Sequence, residues 1–251
     1  MNRPTRWTTF AAPSRFFGLA AALNPWLWAV AGLLTVAGLY VGFFVAPTDA
    51  TQSEAYRIIF IHVPAAWMSM LLYLALAFWA GLGWILNVRM ASTLARAIAP
   101  TGALFTFIAL WTGAFWGKPT WGTWWAWDAR MTSELILLFL YLGYIALVTS
   151  IDDMVRGDKA GALLAIVGSV NVPIIYFSVR WWNTLHQGAT VSLTAAPKMA
   201  QTMLLAMLLM TFAFWAYAFA VVFTRAQALA LERDRDADWV RQLSQASREP
   251  R

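Results

Sequence analysis

Six long apolar runs decide what this chain can fold into. They fall at about residues 26–46, 58–86, 97–116, 132–151, 161–181 and 199–223. Each is near the roughly 20 residues that a helix needs to cross the hydrocarbon core of a bilayer. Lipid offers no partner for a backbone N–H or C=O group, so such runs must be helical. A closed barrel would need alternating strands of about ten residues, and that pattern is absent. Composition agrees. The 251-residue chain is 61% hydrophobic and 12% charged, whereas soluble domains are near half apolar and about a quarter charged. The reading is an all-α integral membrane protein with six transmembrane helices. One folded domain, 26–223, is flanked by an N-terminal cytoplasmic or interfacial segment, 1–25, and a cytoplasmic tail, 224–251.

Lysine and arginine set the orientation. With the N-terminus inside, the inner segments hold thirteen of the eighteen basic residues, Arg3, Arg6, Arg89, Arg96, Arg156 and Lys159 among them. The outer segments hold Arg57, Lys118, Arg130, Arg180 and Lys198. The positive-inside rule therefore puts both termini in the cytoplasm. No cleaved signal peptide is apparent, and the first helix reads as its own insertion signal. Asn171-Val172-Pro173 is expected to interrupt the fifth helix, because proline removes a backbone donor. Gly38 and Gly42 have the small-xxx-small spacing of close helix packing. The tail beyond Arg225 reads as a solvated helix or an irregular end.

The absence of cysteine excludes a disulfide framework, thiolate metal sites and thioether attachment of a cofactor. The chain has two histidines, His62 in "IHVPAAW" and His186 in "RWWNTLHQGAT". Under the derived topology both lie at the outer face, as does "WGTWWAWDAR", residues 121–130. An isolated interfacial histidine is ordinarily a solvated residue, and tryptophans at headgroup depth form belts. Four tryptophans in seven residues, Trp121, Trp124, Trp125 and Trp127, exceed what anchoring needs. In a helix Trp121, Trp124, Trp125 and Asp128 share a face; in an extended segment Trp121, Trp125 and Trp127 do. Either way a broad aromatic shelf is expected. Asp128 or Thr132 is equally suited to cap the following helix, with Glu134 in its first turn.

Haem suits two histidines, several indole planes and scattered cations without a thiol. Its iron takes axial imidazoles, its macrocycle is flat and apolar, and its propionates need cationic partners. Arg57, Lys118, Arg130 and Arg180 are the candidates for the propionates. Other chemistries fit poorly. The stretch Gly113 to Pro119 is one residue short of a phosphate-binding loop and lacks its Ser/Thr. No hydrolase, zinc-protease or dinucleotide fingerprint occurs. Helix centres carry no charge of the kind that marks an ion path. Nothing points to nucleic acid.

"WGTWWAWDARMTSE" resembles the tryptophan-rich WWD signature of the haem-handling membrane proteins, and "HVPAAW" and "RWWNTLHQG" resemble the segments holding that family's two outer-face histidines. With six spans, the chain resembles the CcmC family, the haem-delivery members in the System I cytochrome c maturation pathway. The resemblance covers residues 20–225. It implies that His62 and His186 ligate the iron of a transiently and non-covalently held haem b. It implies that Trp121, Gly122, Trp124, Trp125, Trp127, Asp128 and Arg130 hold the macrocycle at the periplasmic face of a bacterial inner membrane. The implied recipient is the haem chaperone CcmE, and further implied partners are the ABC transporter subunits CcmA and CcmB and the small membrane protein CcmD. Such a protein is a platform and not a turnover enzyme. Two other readings stand beside it: a permease moving haem through the bundle, and a bis-histidine redox subunit exchanging electrons with quinone.

Overall fold

A computed structural model describes residues 12–186, 188, 191, 197 and 199–246. The expectations attached to Arg3, Arg6, Lys198, Arg248 and Arg251 lie outside those residues. The architecture is all helical: α1 (Pro13–Tyr40), α2 (Ile59–Ile85), α3 (Arg89–Trp121), α4 (Ala129–Ser150), α5 (Met154–Gly168), α6 (Asn171–Trp181), α7 (Gln201–Arg233) and α8 (Asp238–Ala246). Six stretches are long and apolar enough to cross a membrane, with α5 and α6 together forming one of them.

Element ends differ from expectation where local chemistry is overridden by packing. The first span begins at Pro13, and Pro25 lies inside the helix. Proline is suited to that first helical position. Asn24 donates to the Thr224 hydroxyl at 2.6 Å, tying α1 to α7 just before the expected start of the first span. At its far end α1 passes into a π turn, Val41–Val45. The fifth span does break, just before the proline: Ser169 and Val170 separate α5 from α6, leaving Pro173 in the first turn of α6, where its missing N–H is tolerated. The tail is helical through Arg233 and resumes in α8.

The helices pack chiefly as α2 against α3 and α1 against α7, with α4 wedged against α3, α5 and α6. Small residues set these approaches. A methyl group on Gly38 would lie 2.8 Å from the Met210 side chain, and one on Gly42 would lie 2.6 Å from the Phe60 ring. The expected small-xxx-small pair is therefore used, each glycine seating one large side chain from a different helix. At the core Tyr73 meets Tyr141 edge-on, ring centroids 4.9 Å apart, and the Tyr141 hydroxyl donates to the Ser69 carbonyl at 2.8 Å. This packing draws α2 and α4 together.

Candidate functional site

His62 stands one turn into α2 and is 9% exposed. The start of that helix is fastened to the first span by Arg57, which donates to the Gly42 and Ala46 carbonyls at 2.6 and 3.1 Å and pairs with Glu54. Arg57 is thus committed to satisfying the carbonyls at a helix end, a favourable place for a cation. Across from His62, α3 presents Thr112, Gly113 and Trp116 on consecutive turns. A methyl group on Gly113 would lie 3.0 Å from the His62 Cε1, so glycine here lets the imidazole sit against the helix backbone. The Trp116 ring meets His62 edge-on at 5.6 Å, and its indole N–H donates to Gln52 at 2.7 Å. Gln52 belongs to a turn organised by Asp49. Amides of Gln52 and Thr51 and the Thr51 hydroxyl hold that carboxyl below the usual carboxylate range.

Thr112 decides how the imidazole is protonated. Its Oγ1 lies 2.6 Å from the Ile108 carbonyl, which accepts the single hydroxyl proton. The same oxygen lies 3.1 Å from His62 Nδ1. With its proton on that carbonyl, the hydroxyl is placed to accept there, the arrangement in which Nδ1 carries the hydrogen. Nε2 then keeps its lone pair, the state a metal ligand requires.

His186 follows α6 and reaches the same place. Its ring centroid is 6.3 Å from that of His62, with 36° between the planes, and 6.3 Å from that of Trp121. Between them lies a small cavity, lined also by Gly113, Trp116, Arg130 and Glu134. Arg130 donates to the Ile175 carbonyl at 2.9 Å, and Glu134 accepts from Ser69 at 2.6 Å. Of the four cations read as partners for an anionic ligand, Arg130 lines this cavity. Arg57 is turned to its carbonyls, Lys118 donates to the Gly122 carbonyl at 3.1 Å, and Arg180 is exposed on α6.

The tryptophan segment is neither helix nor strand over residues 122–128, and it divides its rings. Trp121, the last residue of α3, faces the cavity. Gly122 ends that helix in the left-handed region at φ 78°, its N–H on the Lys118 carbonyl, a conformation suited to glycine. Trp125 packs edge-on against Trp127, and its buried indole N–H has no partner among the described residues. Trp124 rests on Phe115, and Trp124 and Trp127 are 51% and 78% exposed. Asp128 caps α4, as expected of it, and adds a tether. One oxygen accepts the Met131 N–H at 2.8 Å to start α4. The other accepts the Thr184 hydroxyl and, at 3.2 Å, the Leu185 N–H, holding the strand of chain that carries His186. Gly122, Trp124, Trp125, Trp127 and Asp128 do not line the cavity.

Sequence reasoning overlooked Thr112, Gly113, Trp116 and Glu134. The first three have helical spacing that puts Thr112 and Trp116 on one face, but nothing in that pattern says that the face meets His62. The geometry defines a class: a six-span helical membrane protein that closes two histidines, an indole and an arginine around a cavity at one end of its bundle. Residues 6–241 match the family described as "CcmC: Heme exporter protein C". The "Heme exporter protein C" of Escherichia coli K12 is 49% identical over 187 residues, 73% of this chain and 76% of that protein. That of Haemophilus influenzae is 41% identical over 236 residues, 94% of this chain and 96% of the other. A Marchantia polymorpha protein named "Putative cytochrome c biosynthesis ccmC-like mitochondrial protein" is 46% identical over 63% of this chain and 67% of its own length. The chain belongs to the CcmC family.

Proposed function

We propose that this chain holds haem at the outer face of a bacterial inner membrane and hands it to an acceptor during cytochrome c maturation, haem being the cargo and not a resident cofactor. The observation that carries the reading is the 6.3 Å between the His62 and His186 ring centroids across a shared cavity. Two iron–nitrogen bonds of about 2 Å separate the nitrogens by about 4 Å, and ring centres lie roughly 1 Å further out on each side, about 6 Å in all. The donor set fits the cargo in other respects. Thr112 leaves His62 Nε2 open for iron, and Gly113 leaves room beside the ring. Trp116 and Trp121 supply apolar walls, and Arg130 supplies a cation for a propionate.

Release must be as easy as capture, and the ligands suit that. His62 rides on a buried helix, while His186 rides on a loop held through Asp128 and is half-buried. Loosening one loop removes one ligand without opening the bundle. The exposed Trp124 and Trp127 beside it suit a docking surface, since tryptophan is enriched at interfaces. CcmE is the acceptor on this reading, with CcmA, CcmB and CcmD as companions in the membrane, and the relatives' names, which speak of heme export, support it.

The test is the optical spectrum of the detergent-purified protein, repeated with His62→Ala and His186→Ala. The wild type is expected to show a haem Soret band that weakens or shifts in each variant, with partial recovery on adding imidazole. A haem-free wild type co-expressed with its acceptor, or a spectrum indifferent to both changes, overturns the proposal.

A further inference from the structure

A second polar cavity lies at the other end of the bundle. From His62 to Trp84 α2 rises by 22 residues, about 33 Å at 1.5 Å each, or one hydrocarbon thickness. There a crevice opens between the ends of α2 and α7 and the starts of α3 and α5, with Arg89, Ser92, Asp158, Lys159 and Arg233 among its lining.

Its charge is unbalanced. Asp158 accepts from Arg96 Nε at 2.5 Å and from Arg233 at 2.7 Å, and all three side chains are about nine-tenths buried. Arg89 pairs with Asp234, and Lys159 pairs with no carboxylate among the described residues. Asp153, the nearest further acid on α5, is occupied with the amides of Val155 and Arg156 and the Arg156 guanidinium. Arg96 and Arg233 thus share the single carboxylate of Asp158, while Lys159 has only a longer-range attraction to Asp153. Arg233, 9% exposed, also keeps a buried Nε–H with no acceptor among the described residues. An unsatisfied buried donor on a charged group is costly, and such a group signals a missing partner.

The rim says what kind of partner. Trp84 and Val155, both in the crevice lining, stand exposed at 40% and 63%. A ligand matched to both parts has an oxyanion at its head and hydrocarbon behind it. The geometry points to a phospholipid site: this crevice binds the phosphate of an anionic lipid headgroup. Basic pockets between transmembrane helices recognise such headgroups, and guanidinium–phosphate pairing supplies the directional contacts. The site lies a membrane thickness from the histidines and does not depend on the haem reading.

Native mass spectrometry of the full chain in detergent tests this, with phosphatidylglycerol or phosphatidylcholine added at equal concentration. The wild type is expected to retain phosphatidylglycerol at least about tenfold more tightly. The double variant Arg89→Gln/Lys159→Gln, which leaves the Arg96–Asp158–Arg233 cluster intact, is expected to lose that preference. Arg233→Lys, which keeps the charge but removes Nε–H, is expected to weaken it severalfold. Arg225→Gln, which removes an exposed charge on α7 outside the crevice, is expected to change nothing. Equal retention of the two lipids overturns the proposal, as does an Arg225→Gln loss equal to that of the double variant. Inorganic phosphate binding to the crevice as tightly as the lipid would make it a free-anion site and overturn the lipid assignment.

Discussion

On the proposed haem reading, Thr112 is a neighbour that orients a ligand histidine without itself touching the metal. Its hydroxyl can donate once, and the Ile108 carbonyl takes that proton, so the His62 contact fixes one tautomer. Outer partners of this kind are worth roughly 10–100-fold in metal affinity. Thr112→Val is expected to weaken haem binding within that range, measured by following the Soret band as haem is titrated in, while Thr112→Ser retains it. Equal binding by all three would remove Thr112 from the mechanism. Both histidines were legible in the sequence because they are the chain's complete stock. Thr112 and Gly113 were not, since threonines and glycines are common in membrane helices and only the α2–α3 packing gives these two a partner.

At the scale of elements, the tryptophan-rich segment works as a joint. Gly122 stops α3, Asp128 starts α4, and the seven residues from 122 to 128 bridge them without regular structure. A single continuous shelf was the expectation from either periodicity. The joint instead sends Trp121 to the cavity and leaves Trp124 and Trp127 to the surface, because irregular backbone obeys neither repeat. Asp128 joins this segment to the loop bearing His186. Asp128→Ala is expected to cost about 1 kcal/mol for the lost cap, read as a lower unfolding midpoint in detergent, and to weaken the Soret band through the loosened loop. Asp128→Asn keeps a capping oxygen and is expected to recover most of the midpoint. An unchanged spectrum in the alanine variant would separate the tether from haem binding.

Across the whole molecule, the two ends of the bundle differ in chemistry. One gathers His62, His186, Trp116 and Trp121, and the other gathers Arg89, Arg96, Arg156, Lys159 and Arg233. The positive-inside rule assigns the second end to the cytoplasm. The native chain has no cysteine, so single introduced thiols report position cleanly. Ala50→Cys and Arg156→Cys both sit at exposed positions, at opposite ends. In intact spheroplasts, an impermeant maleimide is expected to label the first and not the second until the membrane is opened. The reverse pattern would invert the protein and move the histidine cavity to the cytoplasm.

Apolar run length by itself determined the fold class and the count of spans, because the bilayer demands internal backbone bonding from any segment that crosses it. Residue scarcity singled out His62 and His186, and the density of indoles singled out residues 121–130. Tertiary structure alone decided which cation and which rings face the cavity, and it alone placed Gly113 against His62 and Asp128 against the His186 loop. The physical reason is that those contacts join helices and loops distant in the chain. Their distances depend on how side chains from α2, α3, α4 and the loop after α6 fill one space, and no periodicity along a single helix records that.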